Sequence, residues 1–262
     1  MIAVIGAGAM GEVFVAGLLR AGTEPHRLVI CEKHEERARE VAQRHGVRSV
    51  TLEEAARESA TILLLVKPQD IPGVLDAISP HLGDGTVVIS LAAGVRLEVL
   101  ESRLPRAAVV RAMPNTPALV DLGITAISPG SSCSAQQASY VETLLSAVGP
   151  VVRVPEDLQD AVTATSGSGP AYVFALIESM VAGAVDLGVD PEVAHRLVTQ
   201  TVLGAATMAS QPGADPAALR VQVTSPGGTT AAALGVFKAG DLPGLVARAM
   251  RAARDRGREL GA

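Results

Sequence analysis

Tryptophan is absent from the 262-residue sequence, and the other large aromatic residues are two Tyr and three Phe. The core must therefore be built mainly from Ala, Val and Leu. Cysteine is also rare, since the sequence contains only Cys31 and Cys133. The two lie far apart and belong to no CxxC or Cys/His pattern. This usage argues against a disulfide framework and against a zinc site. We therefore expect no metal, and a cytoplasmic protein.

The sequence has no surplus of basic residues, and we expect neither a signal peptide nor a membrane-spanning run. Its net charge is −5, and its scattered Lys and Arg residues form no stripe for a nucleic-acid backbone. The N-terminus MIAVIGAGAMG contains no basic residue and leads straight into a glycine turn, which is not typical of a signal peptide. No stretch is expected to reach the apolar length of a membrane span. We expect neither nucleic acid nor a membrane as a partner.

Apolar residues are abundant, at 48% of the chain against 19% charged residues. A single soluble subunit rarely needs so much apolar surface, so we expect an oligomer. One segment carries small residues at helical spacing, which would let helices approach closely, either between subunits or within one subunit. These small residues are Ala171, Ala175, Ser179 and Ala182.

Residues 1–154 alternate short apolar runs with Glu-, Arg- and Ala-rich helical segments, the pattern of a doubly wound α/β fold with a largely parallel sheet. After residue 155 the strand signals cease, and turn motifs separate long Ala- and Gly-rich segments. We therefore predict an all-α second domain over residues 155–262. The predicted strands are IAVIGAG, LVIC, TILLLV, TVVISL, AVVRAM and ITAISP.

The first predicted strand is followed by a G-x-G-x-x-G motif that opens a helix. Gly6 permits the tight turn, Gly8 lets the backbone approach a pyrophosphate, and Gly11 allows close helix packing. In this strand–turn–helix setting the motif predicts a dinucleotide-binding domain of the Rossmann type.

The charges after the second strand give conflicting signals about the cofactor. Glu32 stands where an acid would bind the adenosine ribose of NAD, whereas Lys33, His34 and Arg37 could hold the 2′-phosphate of NADP. A solvated helix start is the alternative to both.

Three further motifs fall at the carboxyl ends of predicted strands, where ligands bind in open α/β sheets. They are VKPQ at 66–69, SLAAG at 90–94 and MPNTP at 113–117, whose prolines favour a rigid loop presenting Asn115, although a plain turn is the alternative. The predicted cofactor-binding residues are Gly6, Gly8, Ala9, Met10, Gly11, Glu32, Lys33, Val66, Lys67, Pro68, Ala92, Gly94 and Asn115.

The C-terminal motif VTSPGGTT predicts a second anion-binding helix start. Ser225 is expected to cap the helix, Pro226 to occupy its first turn, and Gly227 and Gly228 to leave backbone N–H groups open to a carboxylate. A well-capped helix without a ligand fits the pattern equally well.

The motifs GAGAMG, VKPQ, SLAAGV, RAMPNTP, TSGSGPAYVF and VTSPGGTTAAAL resemble, in order and spacing, those of pyrroline-5-carboxylate reductases. The resemblance spans nearly the whole chain. It implies reduction of 1-pyrroline-5-carboxylate to L-proline by NADPH, or possibly NADH, and a homodimer with intertwined C-terminal helices that assembles into larger rings. The site would lie between the dinucleotide domain of one subunit and the helices of the dimer.

The resemblance also implies the substrate site. Ser225, Gly227, Gly228 and Thr229 would bind the substrate carboxylate, Thr230 would act as the catalytic residue by offering its hydroxyl to the ring nitrogen, and residues 165–170 would shape the opposite wall. A flexible linker is the alternative for that last segment.

Two features depart from the family pattern. An Asn that many relatives carry before the third sheet strand is absent from SVTLEEAARESA, and Val221 stands where many carry an acid. The five histidines lie outside the motifs and are expected at the surface. They are His26, His34, His45, His81 and His195.

Three other functions are left open. A β-hydroxyacid dehydrogenase would need a catalytic Lys after the sheet domain, where the sequence offers only Lys238. Another imine reductase and a non-catalytic NAD(P)-sensing protein also fit the cofactor motif.

Overall fold

The computed structural model describes residues 1–260, and their N-terminal part forms one eight-stranded sheet. The strand order is β3-β2-β1-β4-β5-β6-β7-β8, and every neighbouring pair is parallel except β6 and β7. The doubly wound, largely parallel prediction is confirmed. The strands are β1 Ile2–Ile5, β2 Leu28–Cys31, β3 Arg48–Ser49, β4 Thr61–Leu64, β5 Val87–Ser90, β6 Ala108–Met113, β7 Thr125–Pro129 and β8 Val151–Arg153.

Both faces of the sheet are covered, which explains why the central strands are continuous apolar runs. Val4 of β1 packs with Phe14 and Ile30 on one face, whereas Ile5 packs with Ile62 and other apolar residues on the opposite face. Successive side chains of a strand point to opposite faces, so a strand buried on both sides is mostly apolar at every position.

Six α-helices surround this sheet, and six more follow it. The local sequence explains several helix starts. Thr51 and Glu54 form a capping box at α3, and Ser134 and Gln137 form another at α6. The helices are α1 Ala9–Arg20, α2 Glu35–His45, α3 Leu52–Glu58, α4 Ile71–Ile78, α5 Leu97–Arg103, α6 Ala135–Leu145, α7 Gln159–Val162, α8 Gly169–Asp186, α9 Pro191–Ala209, α10 Pro216–Gln222, α11 Thr229–Ala239 and α12 Leu242–Leu260.

Two local features differ from the sequence-based expectations. β3 has two residues with exposed side chains, so it carries no apolar signal and exists only because it pairs with β2. The segment 165–170 is not an extended linker, because Thr163–Gly167 form a π-helical turn and α8 begins at Gly169, after one intervening residue.

The chain forms two compact units, Met1–Ser168 with the C-terminal segment from Ala252, and Gly169–Arg251. In the second unit, α8 and α9 pack against each other. Asp190 caps α9 and Asp215 caps α10, each directly before a proline, as the turn motifs predict. The division of the sequence at residue 154 stays a prediction.

The expectation that no stretch is long and apolar enough to span a membrane is wrong on length and composition. The helical run Glu156–Asp186 has a mean hydropathy of 1.3 over its most apolar window, and no part of that window is buried. Small and apolar residues in α8 produce this value. The core helix of a protein and the contact helix of an oligomer have the same composition, so the criterion alone is weak evidence for a membrane.

The small residues of α8 are exposed rather than packed. Ala171, Ala175, Ser179 and Ala182 all belong to the exposed surface, as does Phe174 at 60% exposure. Ordinary packing within one subunit therefore does not account for this helix in the described chain.

Candidate functional site

The glycine loop after β1 has the geometry that a dinucleotide pyrophosphate needs. Gly6 has φ +95, and a Cβ built on it would lie 2.6 Å from the carbonyl oxygen of Leu65. A Cβ on Gly11 would overlap the carbonyl oxygen of Gly6, whereas a Cβ on Gly8 would meet nothing within 4 Å. Two of the glycines are thus required by the fold, and Gly8 faces open space at the start of α1.

A cavity of about 480 Å³ opens beside this loop. Its apolar wall includes Leu52, Val66 and Val74, and its charged residues follow β2 and β4, which flank β1 on either side. Burial raises the pKa of Cys31, which also lines the cavity, to about 11, so this thiol is neutral. The cavity combines an apolar slot with a polar rim, as expected for the adenosine end of a cofactor.

Several charged residues of the cavity already have hydrogen-bond or ion-pair partners. The Nζ of Lys33 lies 3.1 Å from Oδ2 of Asp70, and Oε1 of Glu32 accepts a hydrogen bond from the backbone N–H of His34 at 3.1 Å. Arg37 donates from Nε to the carbonyl oxygen of Ala7 and pairs with two carboxylates of α1 and α2. Asp70 was not singled out in the sequence, because only the fold brings it to Lys33.

The structure gathers part of the predicted cofactor set at this cavity, namely Gly6, Gly8, Glu32, Lys33, Val66 and Lys67. Ala9, Met10 and Gly11 form the first turn of α1, and Pro68 begins a 3₁₀ turn after β4. Ala92 is buried, Gly94 has φ +80, and neither lines the cavity. All the roles assigned to these residues stay predictions.

The MPNTP loop is anchored by its own amide side chain. Oδ1 of Asn115 accepts the backbone N–H of Ile124 at 2.9 Å, which closes the loop between β6 and β7. The loop also contacts the π-helical turn, because a Cβ on Gly167 would lie 2.7 Å from Cε of Met113. The fold thus brings two of the sequence motifs together.

The SPGG segment differs from its predicted form. α11 begins at Thr229 with Gly228 as its N-cap, so Ser225 is not the cap and Pro226 is not in the first helical turn. Instead, Gly227 has φ +71 and the N–H of Gly228 donates to the carbonyl oxygen of Ser225 at 3.0 Å. Proline followed by a glycine at positive φ is the signature of a type II turn. The segment is therefore a turn before α11 and not the predicted first turn of the helix.

This turn presents a helix N-terminus without a side-chain cap among the described residues. The backbone N–H of Ala232 is the first to pair within α11, with the carbonyl oxygen of Gly228. The N–H groups of Thr229 and Thr230 therefore precede the first helical hydrogen bond, and the helix dipole adds a partial positive charge there. The arrangement suits a carboxylate.

A buried ion pair near the MPNTP loop was missed in the sequence. Nη1 of Arg111 lies 3.2 Å from Oε1 of Glu156, and its Nη2 lies 3.6 Å from Oδ1 of Asp160. Arg111 is buried at 5% exposure, but the sequence AVVRAM of β6 does not indicate that its charged residue is buried and paired. No local pattern reveals a partner 45 residues away.

The prediction of surface histidines is wrong for one residue and incomplete for another. The side chain of His45 is only 15% exposed, and its Nε2 lies 2.9 Å from Oε1 of Glu12. His34 is exposed but lines the cofactor cavity. Both belong to α2 or its start, whose position over the glycine loop was not resolved from the sequence.

Comparison with known proteins agrees with this arrangement. Residues 156–260 match the family model described as pyrroline-5-carboxylate reductase dimerisation, and residues 1–94 match the model described as NADP oxidoreductase coenzyme F420-dependent. The pyrroline-5-carboxylate reductase of Corynebacterium melassecola is 40% identical over 99% of this chain and 98% of its own length.

Two solved structures are similar over the full chain. The structure of a pyrroline-5-carboxylate reductase from Coxiella burnetii has a TM-score of 0.95 and 36% identity, and covers 100% of this chain and 98% of its own. The crystal structure of Plasmodium falciparum pyrroline carboxylate reductase with NADP bound has a TM-score of 0.88 and 28% identity, with the same coverage. Full-length identity of this level, together with the matching fold and the SPGG turn, shows that the chain belongs to the pyrroline-5-carboxylate reductase family.

Proposed function

We propose that this protein reduces 1-pyrroline-5-carboxylate to L-proline with NADPH or NADH, the last step of proline biosynthesis. The observation that carries the proposal is the uncapped start of α11, where a type II turn and two threonines form a carboxylate site within a family of reductases named for this substrate.

The cofactor fits the residues of the glycine loop. The backbone of residues 6–11 would hold the pyrophosphate, because Gly8 faces open space and the dipole of α1 favours the negative charge. Glu32 and Lys33 would contact the adenosine ribose, and Val66, Lys67 and Pro68 would support the middle of the cofactor. When bound, the nicotinamide supplies a hydride. Ala92, Gly94 and Asn115 would lie towards that end.

The substrate carboxylate would be bound by Ser225, Gly227, Gly228 and Thr229, and the hydroxyl of Thr230 would contact the ring nitrogen. Binding the carboxylate at one edge of the ring fixes the orientation of the C=N bond. Correct orientation relative to the cofactor is the main contribution that the protein makes to such a reaction. The carbon of the C=N bond accepts the hydride while the nitrogen retains a proton.

No strong general acid is required, because the imine nitrogen exchanges protons with water. The catalytic role of Thr230 is therefore to position the protonated ring nitrogen through a hydrogen bond to its hydroxyl. Lys238 on α11 does not precede the carboxylate turn and has no part in this mechanism.

We further propose that the protein works as a homodimer that assembles into larger rings, in the cytoplasm. The helical part exposes Phe174 at 60%, Val236 at 72% and Leu187 at 87%, and apolar surface of this extent usually marks an interface. A family model described as dimerisation matches this region. Two cysteines without a disulfide are consistent with a reducing compartment.

Isotope transfer tests the proposed reaction. The protein is incubated with 1-pyrroline-5-carboxylate and a cofactor deuterated at nicotinamide C4, in separate runs for the two faces of the ring. One face should yield proline with a single deuterium at carbon 5. Unlabelled proline from both faces, or no proline, would contradict direct hydride transfer.

A further inference from the structure

One ion pair in the cofactor cavity is not explained by any motif. Lys33 and Asp70 follow two different strands, on either side of the glycine loop, and their side chains meet at 3.1 Å. Both residues line the same cavity as Gly8 and Glu32. This pair is part of the cofactor site by position, although Asp70 has no assigned role.

We propose that Asp70 is a specificity-determining residue, which weakens the binding of 2′-phosphorylated cofactors relative to unphosphorylated ones by holding Lys33. The inference rests on the proposed function, since it presumes a dinucleotide in this cavity. In this proposal the ion pair sets the ratio of the affinities for the two cofactor types.

Lys33 directly follows Glu32 and is better placed than Arg37 to bind a 2′-phosphate. Arg37 is the stronger phosphate ligand in principle, but its Nε donates to the carbonyl oxygen of Ala7 and its guanidinium pairs with Glu12 and Glu40. The hydrogen bonds that Arg37 donates to Glu40 and Glu12 raise the pKa of Arg37, as expected for a guanidinium held between two carboxylates. By contrast, Lys33 is two-thirds exposed and has a single carboxylate partner.

Asp70 opposes a 2′-phosphate in two ways. Its carboxylate neutralises the ammonium that would bind the phosphate, and it adds a second negative charge to a cavity that already contains Glu32. A ribose 2′-hydroxyl carries no charge, and Glu32 can accept its hydrogen bond. The carboxylate of Asp70 should therefore affect 2′-phosphorylated cofactors more than unphosphorylated ones.

The expected effect is moderate, because the pair is exposed. Exposed ion pairs are weak and sensitive to salt, so removing the carboxylate should tighten binding of a 2′-phosphate by about two- to fivefold at low ionic strength. The gain should shrink in high salt. Binding of a ligand without that phosphate should not change.

Calorimetry on the full-length protein tests the proposal without any substrate turnover. The probes are 2′,5′-ADP and 5′-AMP, which differ by the 2′-phosphate alone. The variants are Asp70→Asn, Lys33→Gln and their combination. Asp84→Asn is the matched control for net charge. Asp84 pairs with Arg106 and precedes the amino end of β5, whereas Lys33 and Asp70 follow the carboxyl ends of β2 and β4.

Asp70→Asn should tighten 2′,5′-ADP and leave 5′-AMP nearly unchanged. Lys33→Gln should weaken 2′,5′-ADP more than 5′-AMP, and the gain from Asp70→Asn should diminish in the Lys33→Gln background. An unchanged affinity ratio in Asp70→Asn overturns the proposal, as does an equal gain in Asp84→Asn. A Lys33→Gln protein with unaltered 2′,5′-ADP affinity would assign the phosphate to another cation, such as Lys67, and overturn it as well. If neither probe binds the unaltered protein, the cofactor assignment itself fails, and this inference fails with it.

Discussion

Arg111 Nη1 lies 3.2 Å from Glu156 Oε1, in an ion pair that joins strand β6 to the first residue of the helical run Glu156–Asp186. The same carboxylate oxygen accepts the backbone N–H of Leu97 at 2.6 Å, at the start of α5. Only 6% of the Arg111 side chain is exposed. This contact ties three elements around the base of the MPNTP loop.

Replacing Glu156 by Gln should lower the free energy of unfolding by about 1.5–3 kcal/mol, the range of a hydrogen bond to a charged group, because a buried guanidinium would lose its nearest charge. Urea unfolding at one fixed protein concentration measures the change, since oligomer stability depends on concentration.

Glu142→Gln is the control for that substitution, because Glu142 forms an ion pair with the more exposed Arg153. Its cost should stay below about 1 kcal/mol. Equal costs for the two variants would show that the Arg111 pair contributes no more than a surface pair.

Gly8→Ala should leave the fold intact and weaken cofactor binding. A Cβ at Gly8 meets nothing within 4 Å and its φ of −64 suits alanine, so the added methyl group projects into open space where the pyrophosphate is expected. The loss of one hydrogen bond to a charged phosphate predicts a roughly tenfold or larger rise in Kd, measurable from the quenching of NADPH or NADH fluorescence.

Gly73→Ala provides the comparison, since it also adds a methyl group in open space, within α4. Neither variant should lose thermal stability. If Gly8→Ala bound the cofactor as tightly as Gly73→Ala, the glycine loop would not be the pyrophosphate site.

Glu12 should make the stability of the protein depend on pH in the acid range. Burial raises the pKa of this carboxyl, but hydrogen bonds from His45, Arg37 and Arg44 outweigh burial and hold the pKa at about 2, against an ordinary value of 4.5. A carboxyl whose pKa is lowered in the folded state stabilises that state above the unfolded pKa, and the contribution disappears as pH falls from 4.5 to 2.

Glu12→Gln should accordingly lower the free energy of unfolding by about 2 kcal/mol at pH 7, and the difference from the unaltered protein should vanish towards pH 2. Denaturant titrations between pH 7 and the acid limit of reversible folding check this. Glu24→Gln, at an exposed site, should change stability by less than about 0.5 kcal/mol at every pH. A Glu12 effect that stays constant through the acid range would contradict the assigned pKa.

Thr230→Ala should reduce turnover by about 10- to 100-fold while leaving cofactor affinity nearly unchanged, since one hydrogen bond to a charged nitrogen would be lost. Steady-state kinetics and cofactor titration on the same preparation separate the two effects. Thr143→Ala removes an exposed hydroxyl on α6 and should behave like the unaltered protein. Unchanged turnover in Thr230→Ala would remove this residue from the mechanism.

Residues whose environment is local were predictable from the sequence. Gly6 and Gly11 sit where a Cβ would collide with neighbouring backbone, so the glycine pattern carries its own structural reason. The apolar runs of β1, β4 and β5 are buried on both faces and hence easy to recognise. Asp190 and Asp215 cap helices within three residues of themselves.

Residues whose partners are distant in sequence were not predictable. Asp70 reaches Lys33 across 37 positions, and Arg111 reaches Glu156 across 45. The prediction that the SPGG motif starts a helix is wrong for a different reason. Proline fits both the first turn of a helix and the second position of a type II turn. The positive φ of Gly227 decides between them, and a sequence does not report φ.

The most direct measurement is absorbance at 340 nm with purified protein, DL-pyrroline-5-carboxylate and, in separate cuvettes, NADPH and NADH, with proline quantified at the end of each run. We predict a loss of absorbance matched mole for mole by proline, with no loss when a β-hydroxyacid's keto product replaces the imine. Binding of either cofactor without any loss of absorbance would contradict the proposed reaction and would favour a sensing role or another substrate.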